Sequence, residues 1–406
     1  MIVGDQFFLK CLEAWVAGET APHVAPEEAA QIRSGLTLSE GALMPIWGYL
    51  VKSLGFSGSI SGSYLDRLRK YQHFIAANNT VMVMELGQLL EKARERNLRV
   101  MLIKGLALNA AGIYPEKGLR FLSDMDVFID RSDILCMEEL MDNAGWRTAR
   151  KVHELHSNHH LAVRSSPRGF PLEVHFGFSR LPLDLDINQI WGRSKPAQGM
   201  PAAFIPSIED ILLQLAFHAA LNHPDHLMLF HLRFVADFAF IWKFSAGRLD
   251  WKYISQVVER ASIRAPFWNT MCVAYKLINP PGMAEVMGNF NAWKIVDNSF
   301  VEMTVSRLLE GRRSAELSWL VALAAEEKNP FRRLLKLFEV VFPPRTYMAE
   351  AYLQWDHFPW FLFAYAARIL KVLRNFNLRN YIMAYHAGKM ARRVVGDPEN
   401  DPTMRD

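Results

Sequence analysis

Two aspartates, Asp124 and Asp126, stand one residue apart in the stretch Arg120-Phe-Leu-Ser-Asp-Met-Asp-Val-Phe-Ile129. Its apolar end reads as a short strand over 124–129, and on a strand residues two apart share a face. The two carboxylates therefore point together, with Met125 and Val127 on the other side. Carboxylates held this close repel each other and are costly in a dry setting unless a cation stands between them. Mg2+ or Mn2+ meets that need, because such an ion prefers oxygen ligands and is commonly held by one or two carboxylates plus substrate phosphates.

A third acid lies downstream. In Leu172-Glu-Val-His-Phe176 the residues alternate, so Glu173 and His175 share a face of their own strand. Beside the first strand, Glu173 completes a metal-ligating set of Asp124, Asp126 and Glu173. Such a set can hold two metals about 3.5–4 Å apart, one activating the attacking oxygen and one steadying the leaving phosphate. Cations are close in sequence. Lys104 is followed by Gly105, where backbone can approach a phosphate, and Arg120 precedes the pair by four residues with a fork suited to phosphate oxygens. One D-x-D is common on surface strands. The ordered set K-G, then R-x-x-S-D-x-D, then an acid on a later strand is much rarer, and it suits phosphoryl or nucleotidyl transfer, which depends mostly on positioning and charge neutralisation.

The elements that must position these residues follow from periodicity. Apolar residues at helical spacing run without proline from Tyr64 to Arg96, with Asn78-Asn79-Thr80 as a surface step or small kink. Leu98 to Ile103 reads as a strand, Leu106 to Ile113 as a short helix and Tyr114 to Gly118 as a turn. Asp133 to Ala144 reads as a helix that Ser132 caps and Gly145 ends. A β-hairpin follows, His160 to Ser165 and Phe170 to Phe176 about a turn at Ser166-Pro-Arg-Gly169. After about 205 the pattern is helical, opening at Ser207 with Glu209 and Asp210 in the first turn. The fold class is therefore α+β: a small mixed-sheet core flanked by N-terminal and C-terminal helical regions. The divisions are 1–96, helical; 97–200, the α/β core; 201–396, helical; and 397–406, a frayed tail.

Bulk properties set limits. The chain has 406 residues and a net charge of +4, far from the dense basic stripe of a dedicated nucleic-acid binder. Its three cysteines, Cys11, Cys136 and Cys272, form no C-x-x-C pair, so neither a disulfide framework nor a cysteine zinc site is expected. No secretory signal is legible, and the most apolar late stretch, Phe358 to Ala367, is about half the roughly 20 residues of a membrane span. A cytoplasmic protein with no membrane span is expected.

Taken together, Leu102-Ile-Lys-Gly-Leu-Ala-Leu-Asn, Tyr114, Arg120, Ser123-Asp-Met-Asp-Val, Asn143-Ala-Gly-Trp146 and Leu172-Glu-Val-His resemble the uncharacterised nucleotidyltransferase family, within the DNA polymerase β-like nucleotidyltransferase superfamily. The segment Glu209 to His218, followed by Asp237-Phe-Ala, is similar to the family's helices after the core, and Phe342 to Met348 to a late segment of longer members. The resemblance implies that Asp124, Asp126 and Glu173 hold the metals. It also implies that Lys104, Gly105, Arg120 and Ser123 hold the triphosphate of an NTP, whose nucleoside monophosphate passes to an acceptor as pyrophosphate leaves. The superfamily's usual glycine-serine pair is Gly105-Leu106 here, with a longer gap to Asp124, and this K-G form resembles abortive-infection and toxin-type members.

His153, His156, His159 and His160 precede the hairpin without a cysteine partner and do not share one face, so zinc is disfavoured. His160 or His159 facing the acids, and His175, are candidates for proton transfer. His218 reads as a core histidine, and Asp237 as a helix acid paired with Arg233 or His218, or reaching the site. Arg368, Lys371, Arg374 and Arg379, with Phe376 and Tyr381, form a solvated face or, less favoured, a contact to nucleic acid. The acceptor, a small molecule, peptide or saccharide, is expected between the core and the C-terminal helices. Two other functions fit the residues: a silent nucleotide- or partner-binding module, and a toxin-type enzyme acting on tRNA.

Overall fold

In the computed structural model the described residues are 3–20, 41–55, 60–148, 159–179, 183–200, 202–221 and 231–310, with a few isolated positions elsewhere. The chain divides into two compact units, Met1–His218 with His231–Gly311, and Ala219–Phe230 with Arg312–Asp406. In the second, Phe342 stacks on Phe338 at 4.8 Å and lies 6.5 Å from Tyr365. The basic segment from Arg368 to Tyr381, the segment 343–348, the tail 397–406, and His153 and His156 lie outside the described residues.

The first unit opens with helices α1 (Val3–Ala17), α2 (Met44–Ser53) and α3 (Gly62–Glu95). Ser61 caps α3 by accepting from the Tyr64 backbone N–H at 3.3 Å, so the helix starts two residues before its apolar pattern. It runs unbroken through Asn78-Asn79-Thr80, and Asn79 is buried rather than exposed. The turn from Tyr114 to Gly118 packs on α3. Gly118 has φ +81°, and a Cβ there would lie 2.3 Å from the Gln72 carbonyl oxygen, so only glycine fits.

The sheet has seven strands: β1 (Val100–Leu102), β2 (Met125–Phe128), β3 (Arg147–Thr148), β4 (Arg164–Ser165), β5 (Pro171–His175), β6 (Lys195–Pro196) and β7 (Ala203–Ile205). Their spatial order is β3-β4-β5-β2-β1-β7-β6. Strand β1 is antiparallel to β2 and parallel to β7, and β2 is parallel to β5, so the sheet is mixed and the fold is α+β. The β2 and β5 registers pair Asp126 with Glu173 and Phe128 with His175. The hairpin is present: β4 and β5 are antiparallel around a turn closed by Gly169 N–H to the Ser166 carbonyl at 2.8 Å. Its first arm is shorter than the apolar pattern suggests, and His160 meets His175 only through an isolated bridge.

Helix α4 (Lys104–Ala110) follows β1, and α5 (Ile134–Asn143) follows β2. Ser132 does not cap α5; a 3-10 turn over Arg131–Asp133 leads into it, and Ser132 Oγ donates to Asp133 instead. Gly145, at φ +77°, follows its last turn as expected. Helix α6 (Ile187–Arg193) and strands β6 and β7 were not legible in the sequence, and through them the sheet runs on to Ile205, past residue 200. Strands of two or three residues show no alternation to read. Helices α7 (Ile208–Leu221), α8 (Leu232–Ser245), α9 (Trp251–Arg260), α10 (Arg264–Ile278), α11 (Met283–Asn289) and α12 (Asn298–Glu310) follow. Ser207 caps α7, its Oγ accepting from Asp210 N–H at 3.2 Å. Among the described residues no helix is long and apolar enough to cross a membrane.

Strand alternation divides the central strands by chemistry. Met125 and Val127 of β2 and Leu172 and Val174 of β5 are fully buried on one face, each contributing about 1.5–3 kcal/mol of apolar burial. The other face carries Asp126, Phe128, Glu173 and His175. There Phe128 stacks on Phe178 at 4.4 Å and lies 6.2 Å from Trp191, anchoring the apolar end of an otherwise polar face.

Candidate active site

The polar face of β2 and β5 gathers four groups. Because Asp126 and Glu173 are register partners in a parallel ladder, their side chains emerge side by side. His175, two residues beyond Glu173, reaches back across the ladder: its Nε2 lies 2.9 Å from Asp126 Oδ1 and 3.4 Å from Glu173 Oε2. The fourth group is Lys104. Its Nζ donates to Asp126 Oδ1 at 2.6 Å and stands 3.6 Å from Glu173 Oε2 and 3.5 Å from His175 Nε2.

Lys104 reaches this place through an unusual backbone. It has φ +51°, a left-handed conformation that a residue with a Cβ adopts at a cost of about 1 kcal/mol or more. The preceding residue, Ile103, is extended and still tied to the ladder by its N–H to the Asp126 carbonyl at 3.1 Å. The left-handed step turns the chain off the strand and into α4. The Lys104 N–H meets Gln214 Oε1 of α7 at 3.5 Å. Gln214 is buried and went unnoticed in the sequence because it sits in an apolar helical run.

The electrostatics follow from this packing. Burial pushes Asp126 up, but the Lys104 ammonium and the hydrogen bond from His175 more than offset it and hold the carboxyl below its usual range. The His175 hydrogen bond also draws Glu173 down, to about 2, against burial. Burial lowers Lys104, but Asp126 and Glu173 outweigh it, so the amine is held in its charged form. Asp124 differs. It lies just before β2, half-buried, and accepts from Ser123 Oγ at 2.8 Å. Burial, then the negative charge of Asp126, pushes its carboxyl up. The sequence placed both aspartates in one cluster with Glu173; the structure brings Asp126, Glu173 and His175 into mutual contact and leaves Asp124 at the edge.

Both hairpin histidines stand near this group. The rings of His159 and His160 lie 5.8 and 5.4 Å from that of His175. His160 Nδ1 is 2.7 Å from the Leu161 carbonyl oxygen, which fixes its ring. Burial, with the neighbouring imidazoles, pushes His159 down to about 3.

Arg120 has other partners. Its Nε and Nη2 donate to the two oxygens of Asp237 in α8 at 2.7 and 3.0 Å, and its Nη1 donates to the Phe121 carbonyl at 2.6 Å. Tyr114 adds its hydroxyl to Asp237 at 2.5 Å. The expected partners were phosphate for the Arg120 fork and Arg233 or His218 for Asp237; the structure closes the fork on Asp237 within the protein. Gly105 packs on this guanidinium, and a Cβ there would fall 3.0 Å from Leu122 Cδ2 and 3.3 Å from Arg120 Nη2. Asn79 completes the support, donating to the Arg120 carbonyl at 2.8 Å and accepting from Leu122 N–H at 3.3 Å. Its amide clamps the segment that leads into Asp124 from both sides.

The mixed sheet among helices is consistent with a nucleotidyltransferase domain. The model of the uncharacterised nucleotidyltransferase family matches residues 37–279, more than half of the chain, and the protein belongs to that family. No curated protein and no solved structure matches the chain. The donor set suits the divalent ion that such enzymes use. One ligand atom each from Asp126, Glu173 and His175 lie within 4.8 Å of one another. Two carboxylates and an imidazole gathered this closely are groups that would hold such an ion.

Proposed function

We propose that the protein is an active, metal-dependent nucleotidyltransferase that moves a nucleoside monophosphate from an NTP to an acceptor and releases pyrophosphate. The observation that carries this reading is the in-register pairing of Asp126 with Glu173, with the Lys104 amine between them. Bound Mg2+ or Mn2+, in a one- or two-metal arrangement, would neutralise the phosphates and activate the attacking oxygen. Asp126 and Glu173, both held ionised, are the principal ligands, with Asp124 joining from the strand edge. Asp124, its carboxyl pushed up by burial and by Asp126, would become the better ligand beside a cation.

Lys104 offers a cation to the phosphates, beside Gly105 and Ser123. His175 holds the acids in place, and His160 is the neighbouring imidazole for the acceptor's proton. Arg120 acts on this site through position rather than contact, since all three of its nitrogens already donate within the protein. The acceptor class proposed is a small molecule, peptide or saccharide, in a cytoplasmic setting.

The test is transfer of label from NTPs to candidate acceptors with Mg2+, read as pyrophosphate release. The Asp124→Asn, Asp126→Asn double variant is expected to keep its circular dichroism spectrum and lose transfer by about 1,000-fold or more. Transfer at the wild-type rate in that variant would sink the proposed centre. Tight NTP binding by the wild type with no pyrophosphate release from any acceptor would instead favour a silent binding module.

A further inference from the structure

The amine of Lys104 stands where a metal ion would be expected. It is within 3.6 Å of one donor atom of each of Asp126, Glu173 and His175, the three residues whose ligand atoms are grouped closely enough to hold an ion. A divalent ion bound to these atoms would lie about 2.1 Å from each and cannot share the space with an ammonium. Nor would the two positive charges tolerate each other at such a distance, where repulsion is several kcal/mol even at an effective dielectric near 20.

We infer that Lys104 is a built-in counter-ion that occupies the metal position in the empty protein, and that metal entry expels it toward the nucleotide phosphates. This rests on the nucleotidyltransferase reading above. It explains why a buried acid beside a second acid is tolerated: Asp126 is 4 % exposed, and the ammonium supplies the positive charge it needs.

It also accounts for the strained backbone. The left-handed φ of Lys104 points the side chain into the acidic face from the first residue of α4, while the peptide N–H is turned to Gln214. The side chain alone can then move, because its backbone is held by Ile103 on one side and α4 on the other. The groups facing the amine are Asp126, Glu173, His175 and, further out, Asp124. All but the histidine are acids, so once the ion enters the amine has no other anion within the site. The phosphates of an incoming nucleotide supply the partner. Metal and nucleotide would therefore bind with positive cooperativity, and metal alone would bind weakly.

The experiment uses the full chain without nucleotide. Free Mn2+ is followed by electron paramagnetic resonance during titration of the wild type and of Lys104→Met and Lys104→Arg. Removing the amine is expected to tighten Mn2+ binding about tenfold, whereas arginine should leave it as weak as in the wild type or weaker. In the wild type a non-hydrolysable NTP analogue should tighten Mn2+ binding, and in Lys104→Met this gain should shrink. Equal or weaker Mn2+ binding by a folded Lys104→Met would overturn the inference.

A second measurement needs no variant and separates displacement from a mere loss of charge. Acetylation of Lys104 by an amine-reactive ester, read by mass spectrometry, should speed up when Mn2+ is added to the wild type and slow again when the NTP analogue follows. An unchanged rate on Mn2+ addition would also overturn it. Asp126→Asn distinguishes the two levels of argument: undiminished Mn2+ binding there would mean that the metal lies elsewhere and that the proposed function itself has failed.

Discussion

Two cations of one compact unit, the buried Arg120 and the half-buried Lys104, are held in opposite ways. Arg120 is locked. Its fork meets both oxygens of Asp237, its remaining amine meets a backbone carbonyl, and Tyr114 saturates the acid from the other side. Lys104 is shared. One amine serves two carboxylates and an imidazole, and the Glu173 side chain remains 25 % exposed. The difference follows from the chemistry of the two side chains. A guanidinium has a fixed planar fork that fits a carboxylate bidentately, whereas an ammonium is a compact charge on a flexible stem. The locked pair ties α8 to the segment that leads into Asp124, and the shared amine sits among groups that can exchange partners. The contrast teaches that burial and charge alone do not separate a strut from a working group. Whether the cation is held by one bidentate partner or shared among several does.

The sharpest way to break the comparison is to open the locked pair. Asp237→Ala leaves a buried guanidinium without its acid and is expected to cost about 3–5 kcal/mol in urea denaturation. The same truncation at Asp126 should cost much less, because Lys104 has Glu173 as a second acid. Equal losses at the two sites would erase the distinction. A milder effect is expected at Asn79→Ala, which leaves the Leu122 N–H without its side-chain partner and the Arg120 carbonyl with only the longer bond from Asn109, at 3.4 Å. The expected loss of stability is about 1–3 kcal/mol, again by denaturant midpoint, with Asn79→Asp recovering only the acceptor half.

The smallest effect concerns acid. Glu173, drawn down to about 2 from its ordinary 4.5, contributes stability that is complete above pH 4.5 and is lost as pH falls from there toward 2. Denaturant midpoints of the metal-free protein between pH 5 and pH 3 should therefore fall less steeply in Glu173→Gln than in the wild type. A steeper fall in the variant would show that the His175 hydrogen bond and the shared amine do not stabilise Glu173 as an anion.

Much of this was legible in the sequence, for identifiable reasons. Strand alternation, with its period of two, pairs Asp124 with Asp126 and Glu173 with His175 on their own strands; that the two strands lie side by side is decided by long-range pairing. The fold class followed from the shift between helical and alternating patterns around residues 97–180. What could not be read was everything decided by long-range pairing. Arg120 and Asp237 are 117 residues apart, and nothing local tells a fork aimed at phosphate from one closed on a helix acid. Asn79 looked like a polar step on a helix surface, yet its position inside α3 faces the segment 120–122. Strands β6 and β7 exist through pairing with each other and with β1, and they have too few residues to show a pattern. The left-handed φ of Lys104 was equally hidden, because a lysine before a glycine carries no turn signature of its own.

The parallel register of β2 with β5 sets a ruler for the chemistry. Adjacent strands lie about 4.8 Å apart by virtue of their backbone hydrogen bonds, so the separation of Asp126 from Glu173 is fixed by the ladder and not by the packing of side chains. The connection from Ile129 to Phe170 can therefore lengthen, shorten or change composition while the gauge stays constant. What the chain cannot absorb is a slip of a single residue in β5. That slip would set Val174 opposite Asp126, turn the glutamate and the histidine to the apolar side of the sheet, and remove an acid and the imidazole that holds it without altering a single residue of the site.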